Sequence, residues 1–376
     1  MTMNIPDKLK ELNQIFDSYG FELVFVGGCV RDTLMGIEHK DIDLATSATP
    51  DEQIDIYLKH DIHYIETGLQ HGTVTVLIDN EAYEITTYRI DQETDGRHAS
   101  VEYTRSLYDD LFRRDLTVNA IAMDFDGNIF DPFQGIEDIV NGVVRFVGNP
   151  TDRIQEDYLR ILRFFRFYGR ISKTLMHAET MAAITDNRDG LKQISVERVW
   201  AEMAKIIAGP NAEIVLRQMR NTGVLEVIGI DQMNITDMIY ARKYTSDPAM
   251  LLAFLLKDDA IQIGIKWKLS NVEKARVNFV IERAFVPYTV DMAKLDLFNA
   301  YPLDLVQTVL KVQGNSETLD NWVVPTFPVT GDDLIASGMT PGPEMGKTLK
   351  AMCADWVASD YTMDKQALMN KKYIVA

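Results

Sequence analysis

The hydrophobic pattern of this chain changes period near Asn149-Pro150, and that change constrains the fold more than any other feature. Before it, helix-like and strand-like stretches alternate. Pro6–Tyr19 repeats its apolar residues at helical spacing, and Phe21–Val26 reads as a strand ending in Gly27-Gly28. Cys29–Met35 reads as a helix and Asp41–Ala45 as a short strand. Thr49-Pro50 reads as an N-cap with proline at the first helical position, opening a helix to Lys59. Strand patterns at Thr73–Ile78 and Ala82–Tyr88 flank the turn signal Asp79-Asn80. Arg89–Ser106 is polar around Gly96 and is expected to be a mobile loop. Leu116–Phe125 reads as a helix, followed by the turn Asp126-Gly127 and a strand at Ile129-Phe130. After Asn149-Pro150 helical patterns run to the end, among them Arg153–Tyr168, Val196–Ala208 and Ala212–Asn221, with Gly209-Pro210 separating the last two. The expectation is an α/β head followed by an elongated, all-helical remainder.

With 376 residues there is room for two to four domains, each with its own core. No apolar run approaches the length of a membrane span, and the amphipathic N-terminus does not read as a signal peptide, so no membrane role is expected. Two cysteines, Cys29 and Cys353, are too few for a disulfide framework or a cysteine-based zinc site, which fits a reducing cytoplasm. The net charge of −18 argues against a chain that grips nucleic acid over its whole surface. Yet between Arg145 and Arg170 six arginines stand against only Asp152, Glu156 and Asp157. RNA would bind along such a stripe, and its affinity would fall with salt.

Three segments carry chemistry. The first is Phe25-Val-Gly-Gly-Cys-Val-Arg-Asp32 followed by Asp41-Ile-Asp43. A strand running through two glycines into a helix lets backbone amides approach a phosphate, and Arg31 on the first turn adds a guanidinium to the same anion. Asp41 and Asp43, two apart on a strand, would point to one face, and two hard oxygen ligands suit Mg²⁺ together with substrate phosphates. A tight turn and an exposed strand end are the bland alternatives, and their co-occurrence within fifteen residues favours the functional reading. The second is Arg113-Arg-Asp-Leu-Thr-Val-Asn-Ala120, where Arg114, Asp115 and Asn119 can share a helix end, the last two reaching a ribose hydroxyl. A salt-bridged helix start is the alternative. The third is Glu156-Asp-Tyr-Leu-Arg-Ile-Leu-Arg-Phe-Phe-Arg166. Helical spacing would put Asp157 beside Arg160, with Arg163 and Arg166 continuing the row, as a nucleotide reader or as an ordinary salt-bridge ladder.

In this order the three segments resemble the class II CCA-adding tRNA nucleotidyltransferases, relatives of bacterial poly(A) polymerases. Ile194–Lys205 is similar to that family's neck helix, Gly223-Val-Leu to the helix after it, and Val329–Ile335 with Gly342–Gly346 to its tail. The resemblance implies an α+β fold. A polymerase-β-like nucleotidyltransferase head (1–145) would be followed by a helical neck (146–208), body (209–290) and tail (291–376). It implies transfer of C, C and A from CTP and ATP to the 3′ end of tRNA, with Mg²⁺ held by the catalytic Asp41 and Asp43. Gly28 and Arg31 would hold the triphosphate, and Arg114, Asp115 and Asn119 the nucleotide. Asp157 and Arg160 would read the base, while Arg163 and Arg166 would support the site and hold phosphate. Glu84 is a candidate third carboxylate. Neck, body and tail would cradle the acceptor arm and TΨC stem of tRNA.

Base choice follows from chemistry. Cytosine and adenine each present an exocyclic amine beside an unprotonated ring nitrogen, matching one carboxylate acceptor and one guanidinium donor. Uracil and guanine reverse the pattern and would leave groups unpaired, at roughly 1–3 kcal/mol each. Moving from C to A needs only a shift of the pair, which the Arg89–Ser106 loop would drive. The rivals are a poly(A) polymerase, a partial CC- or A-adding enzyme, and an inactive RNA-binding relative. Gly342-Pro-Glu-Met-Gly-Lys-Thr348 has one residue too few for a phosphate-binding Walker loop and is expected to be a helix start. His60-Asp61 has no partners for a metal phosphohydrolase.

Overall fold

The computed structural model describes residues 3, 5–38, 41–66, 68–91, 101–371 and 373. The chain forms two compact units, Met1–Asp231 and Gln232–Ala376.

In the first unit α1 (Asp7–Ser18) buries Leu9, Leu12 and Phe16, one stripe at helical spacing. A mixed sheet follows, with β1 (Leu23–Val26), β2 (Asp43–Thr46), β3 (Tyr64–Ile65), β4 (Thr73–Ile78) and β5 (Glu81–Thr87). Between β1 and β3 lie α2 (Gly28–Leu34) and α3 (Pro50–Lys59), the latter opened by Thr49 as N-cap with Pro50 at its first position, as its sequence predicts, and with Glu52 completing a capping box. The strand order is β3-β4-β5-β2-β1-β8-β9, with β8 (Ala122–Met123) and β9 (Ile129–Phe130). Among the described residues only β2 and β5 pair in parallel, in a register that sets Asp43 opposite Glu84. Their side chains therefore share a face on strands about 4.8 Å apart.

Two head segments differ from expectation. Residues 116–125 are not a helix: a single 3-10 turn (Thr117–Asn119) leads into β8, whose Ala122 and Met123 pair with Val26 and Phe25 of β1. Pairing with the sheet overrides a local pattern too short to separate helix from strand. The ends of the expected loop are strands, β6 (Arg89–Asp91) and β7 (Val101–Tyr103), joined as an antiparallel hairpin, while residues 92–100, Gly96 among them, lie outside the described residues. The hairpin's roots are fastened. Arg89 donates to the His71 carbonyl, and Arg105 donates to the Ser47 carbonyl and to Glu52.

Helices α4 (Leu107–Phe112) and α5 (Gly135–Asn141) complete the head, and α6 (Pro150–Glu156), α7 (Arg160–Ile171), α8 (Ala178–Asn187), α9 (Val196–Ala208), α10 (Ala212–Asn221) and α11 (Val224–Ile228) follow. The stretch expected as one helix over 153–168 is broken. Asp157 is extended (φ −155°, ψ 104°), and α7 starts only at Arg160. Asp157 accepts the Leu159 amide at 3.1 Å, satisfying a donor that the incoming helix would otherwise leave unpaired. Beyond the break α7 packs on α9, with Ile161, Leu162, Phe164, Phe165 and Phe167 buried. Each such side chain contributes about 1.5–3 kcal/mol of burial.

Every regular element among the described residues of the second unit is a helix: α12 (Ile235–Ala241), α13 (Pro248–Leu256), α14 (Asp259–Lys266), α15 (Asn271–Ala284), α16 (Val290–Phe298), α17 (Leu303–Val312), α18 (Gly331–Ala336), α19 (Pro343–Ala358) and α20 (Lys365–Asn370). Every residue of α13 from Ala249 to Leu256 is buried, so it is the axis on which α12, α14 and α15 pack. Val329, Leu334, Met352, Trp356 and Leu368 form a separate core around α18–α20. Gly342-Pro343 opens α19, the helix start expected of the Walker-like stretch.

Candidate active site

A cleft of about 620 Å³ in the first unit is lined by eight arginines and three aspartates, a local excess of positive charge in a strongly acidic chain. The arginines are Arg31, Arg89, Arg113, Arg114, Arg160, Arg163, Arg166 and Arg198, and the acids are Asp43, Asp115 and Asp157.

At one end β1 delivers the chain to Gly27, which caps α2 with φ 68°, a left-handed conformation natural to glycine. A Cβ at Gly27 would stand 2.7 Å from Nη1 of Arg114. A Cβ at Gly28 would stand 3.8 Å from Nη2 of Arg31 and 4.0 Å from Oδ2 of Asp43. The absent side chain of Gly28 thus leaves open the space between a guanidinium and a carboxylate. Arg31 is buried, donates to Asp32 at 2.9 Å and to Asn119, and lies 4.8 Å from the Phe167 ring, whose other neighbour is Arg166 at 4.4 Å. Burial pushes both guanidinium pKa values down. Asp32 and Glu202 oppose this, and neighbouring arginines add to it, Arg170 for Arg31 and Arg163 for Arg166. An anion between them would relieve that cost.

Asp43 opens β2 into the cleft. The cleft walls push its carboxyl pKa up, Arg114 pulls it back, and the neighbouring Asp41 charge pushes it up again. Asp41 is exposed, precedes the strand and is not in the cleft lining. Two like charges held close, beside the gap left by Gly28, are a donor set that a divalent cation neutralises. Glu84 stands next to Asp43 across β5.

Asp115 ties the middle together without a helix. Its Oδ1 accepts from Asn119 Nδ2 at 3.0 Å and the Leu116 amide at 2.9 Å, and its Oδ2 accepts from Arg163 Nε at 2.6 Å. Burial pushes this carboxyl up, but Arg163, Asn119 and Arg160 together outweigh it and hold its pKa below the ordinary value. Asp110, buried between Arg113 (2.7 Å) and Arg114 (3.1 Å), orients the neighbouring pair of cations.

At the far end Asp157 and Arg160 both face the cleft but are not paired with each other. Asp157 Oδ2 accepts from Arg198 at 2.7 Å. Arg160 donates to the carbonyls of Arg153 (3.1 Å) and Arg113 (3.0 Å) and to Glu156. The helix break at Asp157 separates them, so the side-by-side arrangement expected from helical spacing is corrected to two independently braced groups.

Comparison with known proteins matches this architecture. Residues 23–145 match the Poly A polymerase head domain family, and residues 176–231 the family described as a probable RNA and SrmB-binding site of polymerase A. The mouse mitochondrial CCA tRNA nucleotidyltransferase 1 is 38% identical, covering 96% of this chain and 89% of the mouse protein. A CCA-adding enzyme of Ligilactobacillus salivarius is 33% identical over 97% of this chain and 96% of its own length. The crystal structure of the Bacillus stearothermophilus CCA-adding enzyme in complex with CTP superposes with a TM-score of 0.78, at 30% identity, over 95% of this chain and 94% of that one. The chain belongs to the CCA-adding tRNA nucleotidyltransferases. The reaction of this nucleotidyltransferase is the addition of CCA to the 3′ end of tRNA.

In this CCA-adding enzyme the cleft brings together ten of the residues singled out from sequence: Gly28, Arg31, Asp43, Arg114, Asp115, Asn119, Asp157, Arg160, Arg163 and Arg166. Sequence reasoning gave no role to Arg89, Arg113, Phe167 and Arg198, which line it too, beside Gly27 of the glycine pair. Gly27 and Arg113 lay inside the quoted motifs, where a strand end and a doubled arginine were available signals. Arg89 and Arg198 reach in from remote segments, and no local spacing announces them.

Proposed function

We propose that this cleft is the single nucleotide site of the reaction, taking CTP and then ATP in the same pose and joining each through its α-phosphate to the tRNA 3′-hydroxyl, with release of pyrophosphate. The observation that carries the reading is the polarity of the cleft. The Asp43 carboxylate beside Gly28, a block of guanidiniums and the Asp157–Arg160 acceptor–donor set would match metal, triphosphate and base. Asp41 and Asp43 would hold Mg²⁺, which when bound supplies positive charge to the attacking and leaving oxygens. Gly28 leaves room for the phosphates, Arg31, Arg163 and Arg166 neutralise them, and Arg114, with Asp115 and Asn119, contacts the nucleotide. The Asp157 carboxylate accepts from the exocyclic amine while Arg160, already braced by two carbonyls, donates to the ring nitrogen. No template is needed, because the protein supplies the hydrogen-bond pattern that a template base would present.

The head, neck, body and tail division, with the acceptor arm and TΨC stem held by the last three, is our reading of how tRNA is positioned. Both cysteines are buried and unbridged, which accords with a cytoplasmic setting. None of the described helices is long and apolar enough to cross a membrane.

The deciding measurement is incorporation onto a tRNA transcript lacking CCA, with each nucleoside triphosphate alone and then CTP with ATP. Two C's, one A and arrest are expected. A lengthening A tail, or a stop after CC, would keep the metal site but overturn the reading of CTP and then ATP as successive substrates. Shortening the β6–β7 hairpin between Asp91 and Val101 is expected to spare C addition and abolish the final A. Equal loss of both would remove the hairpin from the switch.

A further inference from the structure

We propose that Arg198 is a positioning residue for base choice: its guanidinium, reaching in from α9, fixes the orientation in which the Asp157 carboxylate meets the base and so sets discrimination against UTP and GTP. The inference rests on the reading of Asp157 as the acceptor for the exocyclic amine.

Asp157 lies on the short connection between α6 and α7, in extended backbone, so no helix holds its side chain. Two hydrogen bonds do. The Leu159 amide binds Oδ1 at 3.1 Å and is local to the connection itself. The second, from Arg198 to Oδ2 at 2.7 Å, comes from a separate helix and fixes the carboxylate plane against the cleft wall. One bond leaves a carboxylate free to turn; two on different oxygens do not. Each oxygen keeps acceptor capacity, so an amine can still bind beside Arg198.

The pair is not there to hold the fold. Side-chain exposures of 51% for Arg198 and 31% for Asp157 make it a wet ion pair, worth about 0–1 kcal/mol. Arg198 also has an acid one helical turn away, Glu202, at a spacing that commonly forms a salt bridge. Glu202 instead binds Arg166 at 2.9 Å. Helix α9 therefore grips two parts of the cleft, the phosphate-side arginine through Glu202 and the base-side carboxylate through Arg198. Without Arg198, Asp157 turns and Arg160 alone faces the base. Arg160 is a pure donor, and it satisfies the carbonyls of uracil and guanine as readily as the ring nitrogens of cytosine and adenine.

The test uses Arg198→Ala, Arg198→Lys and Asp157→Ala in the full chain, measuring kcat and KM for all four triphosphates on tRNA transcripts ending before the first C and before the A. Arg198→Ala is expected to lower the CTP-over-UTP ratio of kcat/KM about tenfold, chiefly through KM for CTP. Arg198→Lys should recover part of that ratio, since one ammonium can still bind Oδ2. If Asp157→Ala loses discrimination while Arg198→Ala keeps the ratio of the unaltered enzyme, or slows all four nucleotides equally, the role of Arg198 is overturned and the reading of Asp157 stands. If Asp157→Ala itself discriminates as before, that reading fails and takes the inference with it.

Discussion

Asp43→Asn is expected to cut nucleotide incorporation by ~10³-fold or more while leaving the fold as stable as before, or slightly more so. The two halves of this expectation have one cause. The Asp43 carboxyl is held at a raised pKa, first by burial and then by the Asp41 charge, with Arg114 opposing. A carboxylate with a raised folded pKa costs stability above that pKa, and the cost disappears when the group is neutral. Neutral asparagine therefore relieves the head of a like-charge contact and removes a carboxylate that, in the proposed function, would hold the metal. Incorporation assays and thermal melts of the same preparation check both halves. Activity within tenfold of the unaltered enzyme, at saturating Mg²⁺, would remove Asp43 from the chemistry. A large loss of stability would make its role structural.

Arg163→Met is expected to destabilise the first unit by about 3 kcal/mol at pH 7, because it strands the buried Asp115 carboxylate. That is the lower end for such a loss, since Asn119 and the Leu116 amide still bind Oδ1. The signature lies in the pH dependence. In the unaltered enzyme Asp115 has a folded pKa below the ordinary 3.8. Its contribution is complete above the unfolded value and is lost as pH falls through the folded one. With Arg163 gone, burial, the largest influence on this carboxyl, dominates and raises the folded pKa. The variant should therefore regain stability as pH falls from 7 towards 5, a range in which the unaltered site does not change. Urea melts at both pH values decide it. Parallel profiles for the two proteins would mean that Asp115 does not depend on Arg163.

Much of the site was legible because its chemistry is local. Gly28, Arg31 and Asp43 sit within sixteen residues, and the N-cap and first position of α3 can be read directly from Thr49-Pro50. The readings that changed depend on distant partners. Residues 122–123 became a strand because β1 offers them unpaired backbone, which no window over 116–125 contains. The break at Asp157 is likewise set from outside. Tyr158 packs so closely on Gly190 that a Cβ there would lie 2.0 Å from the ring, and Arg198 waits for the carboxylate on a helix 41 residues away. Helical spacing correctly kept Arg160, Arg163 and Arg166 on one element but joined that element to α6 across the break.

The crowding of eight arginines into one cleft bears on folding as well as on catalysis. Burial and neighbouring arginines press on Arg31 and Arg166, a cost to the folded cleft that the unfolded chain does not carry. On the proposed function a triphosphate binds the folded cleft and not the unfolded chain, so at a hundred times its dissociation constant it would add about 2.7 kcal/mol to stability. The nucleotide supply thus acts on this enzyme twice, as substrate and as counter-charge. A cell short of CTP and ATP would hold a population of the protein that is idle and also more readily unfolded.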